Sequence, residues 1–425
     1  MRWAWLAGAL GAMIGATSAG AAELLPATTP QAAGFAPARL DRIDAFFARE
    51  IAAKRVPGAV VGIARDGKLV YLKAFGRRDP ASDTPMQVDS LFALASMTKP
   101  MVAVGALALT EDGRLPLFSR LAQYYPAFAA MKVGTPGTDG ALQLAAQDRP
   151  ITIQDLLRHT SGLTYGGRAD TGGAVSKLWP PGSALHRMAS ADAFVDTITQ
   201  LPLAHQPATV WEYSESFDTL GAVIEKVTGG SLGDDLRRSI WAPLGMADTG
   251  FHVDRARLAR PFPQDPLTGR PQTFSALEDV VFECGGGCSF GSVPDYLRFG
   301  QMLLNGGILD GVRILSPHFV ALMTSNQLPA SIQNNVAQVE PHRGGYGFGF
   351  GVAVRLAPGL AAVPGSVGEY SWNGAEGTGF FADPREGLLV VYGTAAPGDL
   401  RKYYREQVQD LVYGALMEAR AATTP

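Results

Sequence analysis

Two apolar runs, Ala59 to Ala64 and Leu69 to Phe75, flank the pair Asp66-Gly67, and this constrains the fold more than any other feature of the chain. An Asp-Gly pair in that setting favours a tight turn with both residues at positive φ, whose twist suits antiparallel strands. The sheet therefore begins early, with a hairpin. Comparable strand-like runs return only far down the chain, at Phe348–Val354, Gly379–Ala382 and Leu388–Gly393. Ahead of the hairpin, Leu40, Ile43, Phe46, Phe47 and Ile51 recur at helical spacing over 38–54, and Pro57-Gly58 stops that helix. A last helical stretch runs from about Leu400 to Ala419. From Ser96 to Ile240 the pattern is mainly helical, broken by loops such as Thr135–Gly140 and Trp179–Gly182.

The order of these elements implies an α/β (α+β) fold. An antiparallel sheet is built from both ends of the chain, flanked by N- and C-terminal helices, with a mainly helical domain inserted between its halves. The expected parts are 22–95 and 281–425 for the α/β domain and 96–280 for the helical insert. Residues 1–21 stand apart. A basic start at Arg2, an apolar run from Ala4 to Ala16 and the small residues Ala19-Gly20-Ala21 fit a secretory signal peptide. The run is shorter than the roughly 20 residues of a spanning helix, so no stable membrane anchor is expected after cleavage. The mature protein is expected to be exported, either periplasmic or secreted.

A net charge of −3 offers no basic surface for nucleic acid, and no such partner is expected. Cys284 and Cys288 bracket three glycines, which leaves a disulfide across a tight loop and a pair of reduced thiols both open. Two cysteines without neighbouring histidines do not fill a zinc site, and His159, His186, His205 and His252 show no metal spacing. No metal and no cofactor are expected.

The chemistry centres on Ser96-Met97-Thr98-Lys99-Pro100. A serine hydroxyl needs a base to take its proton, and a lysine one helical turn later lies on the same face. Pro100 is tolerated only near a helix start, so the helix begins near Ser96, where exposed N–H groups favour developing negative charge. Met101 to Leu109 is nearly all apolar and reads as a buried helix. A Ser-x-x-Lys pair alone is a weak signal. It gains weight from Trp211-Glu212-Tyr213-Ser214-Glu215, which opens an apolar-patterned helix over Leu220–Val227.

Together these segments resemble the serine β-lactamase and penicillin-binding protein superfamily, in which Ser-x-x-Lys is followed by a Tyr-x-Asn loop and a Lys-Thr-Gly strand. The resemblance extends through Arg158-His159-Thr160-Ser161-Gly162-Leu163, Pro243-Leu244-Gly245-Met246 and Tyr296-Leu297-Arg298-Phe299. It implies an acyl-enzyme on Ser96, with Lys99 and Tyr213 moving the proton and the N–H groups of Ser96 and Ala375 forming the oxyanion hole. Tyrosine serves as a base only where a neighbouring cation stabilises its anion, so which of the two accepts the proton stays open.

Two departures shift the expected substrate. Glu215 stands where the family has asparagine, and Trp372-Asn373-Gly374 stands where Lys-Thr-Gly would. Without that lysine the chain looks more like the family VIII carboxylesterases, so Trp372, Asn373 and Gly374 are expected to face a small-molecule ester. Tyr165 and Trp179 are candidates for the pocket wall, with core packing as the alternative for each. β-Lactamase, D-amino-acid peptidase and acyltransferase activities of the same fold are the alternatives, followed by a non-catalytic binding relative. A second motif competes. Gly287-Cys288-Ser289-Phe290-Gly291 matches the nucleophile elbow Gly-x-Ser-x-Gly, after strand-like Val280–Phe282. The elbow requires a partner histidine downstream, and only His318 and His342 follow, at a helix start and in a loop. Ser289 is expected to be a loop serine, and His159 a hydrogen-bonded structural residue.

Overall fold

The computed structural model describes residues 24–137, 141–167 and 173–421, apart from 273, 275 and 277. The expected signal peptide lies outside the described residues, as do residues 138–140 of the expected Thr135–Gly140 loop. An eight-stranded antiparallel sheet forms the frame. Its strands are β1 (Gly58–Arg65), β2 (Lys68–Asp79), β3 (Thr84–Pro85), β4 (Tyr346–Phe348), β5 (Ala353–Arg355), β6 (Tyr370–Asn373), β7 (Thr378–Asp383) and β8 (Leu388–Gly393). They lie in the order β4-β5-β6-β7-β8-β1-β2-β3. The two ends of the chain meet where β1 pairs with β8, Val60 opposite Gly393 and Ile63 opposite Val390. The β1–β2 turn holds Asp66 at φ 51° and Gly67 at φ 75°, the positive values such a hairpin needs.

The central strands β1, β7 and β8 are buried on both faces because both faces are covered. Side chains alternate along a strand, so Ala59, Val61 and Ile63 of β1 pack under α1 (Pro37–Ala52) and the C-terminal helix, together with Val390 and Phe381. Val60 and Ala64 point the other way, into the core shared with the helical segments. On that side α2 (Thr98–Glu111) is buried nearly all round, including Met101, Val102, Val104 and Leu107. Burial of such side chains contributes about 1.5–3 kcal/mol each, which anchors the helix that carries Lys99. Also on this side are α3 (Ser216–Thr228) and α4 (Val293–Leu304). The C-terminal helix is α5 (Leu400–Tyr413). A short ribbon pairs Leu91–Ala93 with Phe290–Ser292, so the Ser96 turn and the Ser289 loop lie side by side.

Three expectations are corrected. The run Phe348–Val354 is two strands, because the chain reverses between Phe348 and Ala353 with Gly351 at φ 76°. Phe350 and Val352 are fully buried in that reversal, so it reads as a continuous apolar strand. The last helix ends at Tyr413 and not near Ala419, since the chain beyond Gly414 turns back to bridge Leu416 to Phe35. Val280–Phe282 is not a strand: Val281 is exposed, while Phe282 stacks on Phe194 at 5.1 Å.

Candidate active site

Ser96 sits in a single 3₁₀ turn, Ala95–Met97, that runs straight into α2. The turn is strained, with Ala95 at φ 46°, which costs on the order of 1 kcal/mol for a residue with a Cβ. Thr98 holds it by donating its hydroxyl proton to the Ala95 carbonyl at 2.7 Å. One helical turn after Ser96, the fully buried Lys99 donates from Nζ to Ser96 Oγ at 3.2 Å and to the Gly286 carbonyl at 2.6 Å. Tyr213, in the loop ahead of α3, donates to Ser96 Oγ at 2.6 Å. The ammonium of Lys99 lies 4.7 Å from the centre of the Tyr213 ring. That ring is fixed by aromatic neighbours, with His159 at 4.9 Å, Tyr165 at 5.3 Å and Trp372 at 5.4 Å. His159 is buried, with Nδ1 3.3 Å from Ser214 Oγ, and supports the tyrosine by packing.

Ser96 and Tyr213 stand in the wall of a cavity of about 320 Å³ that is also lined by Tyr165, His186, Ala375 and Glu376, with Lys99 buried behind them. Ala375 is exposed there, at the turn joining β6 to β7. Gly374 allows that turn to press against the residue ahead of Ala95. A Cβ on Gly374 would fall 2.4 Å from the Leu94 carbonyl oxygen and 2.1 Å from Thr378 Oγ1.

The cavity does not reach four of the residues expected to face substrate. Trp179 is core, with its indole N–H donating to the Pro202 carbonyl at 2.9 Å. Trp372 is buried behind Tyr213, covered by Phe348 at 5.3 Å and by the Arg343 guanidinium at 4.6 Å. Asn373, with its amide oriented to satisfy both partners, accepts from Arg343 Nη2 at 2.7 Å. Gly374 serves the close approach just described. Arg343 contacts both strand residues, over the Trp372 ring and at the Asn373 amide, and Arg405 donates to the Gly374 carbonyl at 3.1 Å. Burial pushes the carboxyl of Glu340 up, but Arg405 and Arg343 outweigh it and hold it near 2, so an anion balances those guanidiniums. On the cavity side, Arg187 pairs with Glu278 at 2.9 Å. Burial pushes Glu376 up to about 7, with Arg401 opposing.

Ser289 is 1% exposed, with its Oγ 2.6 Å from Thr98 Oγ1. His342 lies 3.6 Å from Glu340 and His318 is exposed on its own helix, so neither completes an elbow triad with Ser289. Cys284 and Cys288 form a disulfide, closing the loop that carries Gly286.

Sequence reasoning missed one cluster. His186 Nε2 lies 3.4 Å from Asp218 Oδ1 and 3.7 Å from Glu215 Oε2, and both carboxylates are fully buried. Burial disfavours a charged imidazole, but the two carboxylates outweigh it and raise His186 to about 10. Burial likewise opposes ionisation of Asp218, but His186 holds it low, while burial and the Asp218 charge drive Glu215 up. Asp218 is therefore the more acidic of the two carboxyls, and His186 is their shared cation. The cluster's donor atoms lie within 4.8 Å of one another and match in type what a divalent cation takes, although the imidazolium already supplies a cation there. Asp218 one helical turn after Glu215 was the only signal along the chain, because His186 comes from a distant loop.

The Beta-lactamase family model matches residues 43–412. Protein Rv1367c of Mycobacterium tuberculosis is 33% identical over 344 residues, covering 79% of this chain and 84% of that protein. Esterase EstB of Burkholderia gladioli is 31% identical over 372 residues, covering 82% and 88%. Among solved structures, EstCE1, described as a hydrolase with promiscuous acyltransferase activity, superposes with a TM-score of 0.73 at 27% identity, covering 89% and 99%. The chain belongs to the β-lactamase family of serine hydrolases.

Proposed function

We propose that this protein is an exported serine carboxylesterase for small esters, acting through an acyl-enzyme on Ser96. The observation that carries the reading is the convergence of Tyr213 and Lys99 on Ser96 Oγ in the cavity wall. Ser96 Oγ attacks the ester carbonyl carbon and gives up its proton to this pair. The tetrahedral oxyanion then faces the N–H groups of Ser96 and Ala375, fixed donors that strengthen as charge develops. Collapse expels the alkoxide, which takes the proton from Tyr213. Water attacks the acyl-enzyme by the same proton path, the acid leaves, and Ser96 regains its proton.

An ester is favoured over a β-lactam because Trp372, and no lysine, stands on the strand that would read a carboxylate, and Glu376 lines the cavity beside it. The similarity to an esterase of Burkholderia gladioli supports the same class. Transfer of the acyl group to an alcohol is the second reading, supported by the likeness to EstCE1. Export is supported by the Cys284–Cys288 disulfide, which persists in oxidising compartments. Parallel assays with p-nitrophenyl butyrate and nitrocefin test the substrate class. Turnover of the ester with slow or no nitrocefin cleavage is expected; fast nitrocefin turnover with negligible esterase activity overturns the reading.

A further inference from the structure

Lys99 does more than face Ser96. Its 2.6 Å bond to the Gly286 carbonyl is shorter than its 3.2 Å contact with Ser96 Oγ, so the direction of that carbonyl steers the ammonium. Glu215, two residues after Tyr213, gives Lys99 no hydrogen bond: both its carboxylate oxygens are buried without a hydrogen-bond partner, and its near neighbour is His186. The acceptor is instead a glycine in a run of three. Glycine has no backbone preference that would fix its carbonyl, so something outside the run must do so.

Two ties are present. The Cys284–Cys288 disulfide closes the loop, and the Gly286 N–H donates to Asp218 Oδ1 at 2.9 Å. The loop lies flush on the first turn of α3. A Cβ on Gly285 would fall 2.3 Å from the Phe217 carbonyl oxygen, and one on Gly286 would fall 2.2 Å from Asp218 Oδ2. The glycines are there for contact, and that contact puts Gly286 within reach of Asp218.

We propose that Asp218 is a positioning residue of the active site, holding Gly286 so that its carbonyl aims Lys99 at Ser96. His186 supplies the counter-charge that lets a fully buried carboxylate stay ionised, and Lys99 adds to it. Asp218 touches neither Ser96 nor the cavity; it acts through Gly286. The proposal rests on the Ser96 and Lys99 reading of the site.

The test uses Asp218→Ala, Asp218→Asn and Gly286→Ala in the full chain. It measures kcat and KM on p-nitrophenyl butyrate, the rate of labelling by a fluorophosphonate, and thermal melting. Asp218→Ala is expected to lower kcat and the labelling rate by about 30- to 100-fold with KM nearly unchanged, since a small misplacement of a reacting group costs that much. Asp218→Asn keeps an amide oxygen for the Gly286 N–H and is expected to recover most of the rate. Gly286→Ala pushes the same carboxylate away from the other side and should reproduce the loss. If Asp218→Ala does not fold, the asparagine and Gly286 variants decide alone: Gly286→Ala at wild-type rate overturns the proposal. So do equal losses in Asp218→Ala and Asp218→Asn, or an effect confined to KM. A wild-type protein that takes no label, or a Ser96→Ala variant that still does, overturns the Ser96 reading instead. Normal labelling of wild type with an insensitive Asp218→Ala overturns only the role of Asp218.

Discussion

Two serines lie close together beside the ribbon of Leu91–Ala93 and Phe290–Ser292, each inside a motif able to make it a nucleophile. Ser96 is partly exposed in the cavity wall, and its oxygen is approached by both an amine and a phenol. Ser289 is buried, and its oxygen has a hydroxyl for a partner. Proton counting settles what Ser289 does. Thr98 has one hydroxyl proton and spends it on the Ala95 carbonyl, so the Ser289 hydroxyl must donate to Thr98. Ser289 therefore braces the strained turn on which Ser96 stands. The difference teaches that a motif nominates a serine, while the groups around its oxygen decide its chemistry.

The sharpest way to break this contrast is to remove each hydroxyl in turn. Ser96→Ala should lower kcat/KM by about 10⁴-fold or more and abolish fluorophosphonate labelling, as loss of a nucleophile does. Intact-mass analysis reads it directly, and a label that survives Ser96→Ala but not Ser289→Ala would reverse the two roles. Next in size, Tyr213→Phe keeps the ring packing but removes the phenol, and should cost roughly 10²–10⁴ in kcat. A phenylalanine variant within a few-fold of wild type would leave Lys99 as the sole proton acceptor.

A smaller effect concerns what the Ser96 cavity admits. Glu376 is neutral below about 7 and anionic above it, while His186, raised to about 10, keeps its charge throughout. From about pH 6 to about pH 8, kcat/KM for a carboxylate-bearing ester should therefore fall several-fold relative to a neutral ester. Glu376→Gln should flatten that ratio; an unchanged slope would show that another group sets it. The smallest effect is on the bracing serine. Ser289→Ala should cost about 1 kcal/mol of stability, seen as a drop of a few degrees in Tm, with activity within an order of magnitude of wild type.

Much of this was legible along the chain because its physics is local. The hairpin at Asp66-Gly67 follows from turn geometry, and Leu388–Gly393 is a strand with the bounds its apolar run announces. Ser96 and Lys99 share a face because they are one helical turn apart. Legibility failed where an apolar residue had several ways to be buried. Trp179 reads equally as pocket or core, and the indole's partner, the Pro202 carbonyl, is not foreseeable from its neighbours. Phe350 and Val352 look like strand because a buried reversal needs the same residues.

The sequence by itself determined the frame: a sheet drawn from both termini around a helical insert, and a Ser-x-x-Lys turn with a tyrosine to complete it. Those features depend on periodicity, turn chemistry and one helical turn of spacing. Only the tertiary structure decided which serine oxygen is met by both an amine and a phenol, that Trp372 lies behind Tyr213, and that Asp218, His186 and Gly286 stand behind Lys99. These are contacts between residues far apart in the chain, and their energies depend on burial and charge, which exist only once the core has closed.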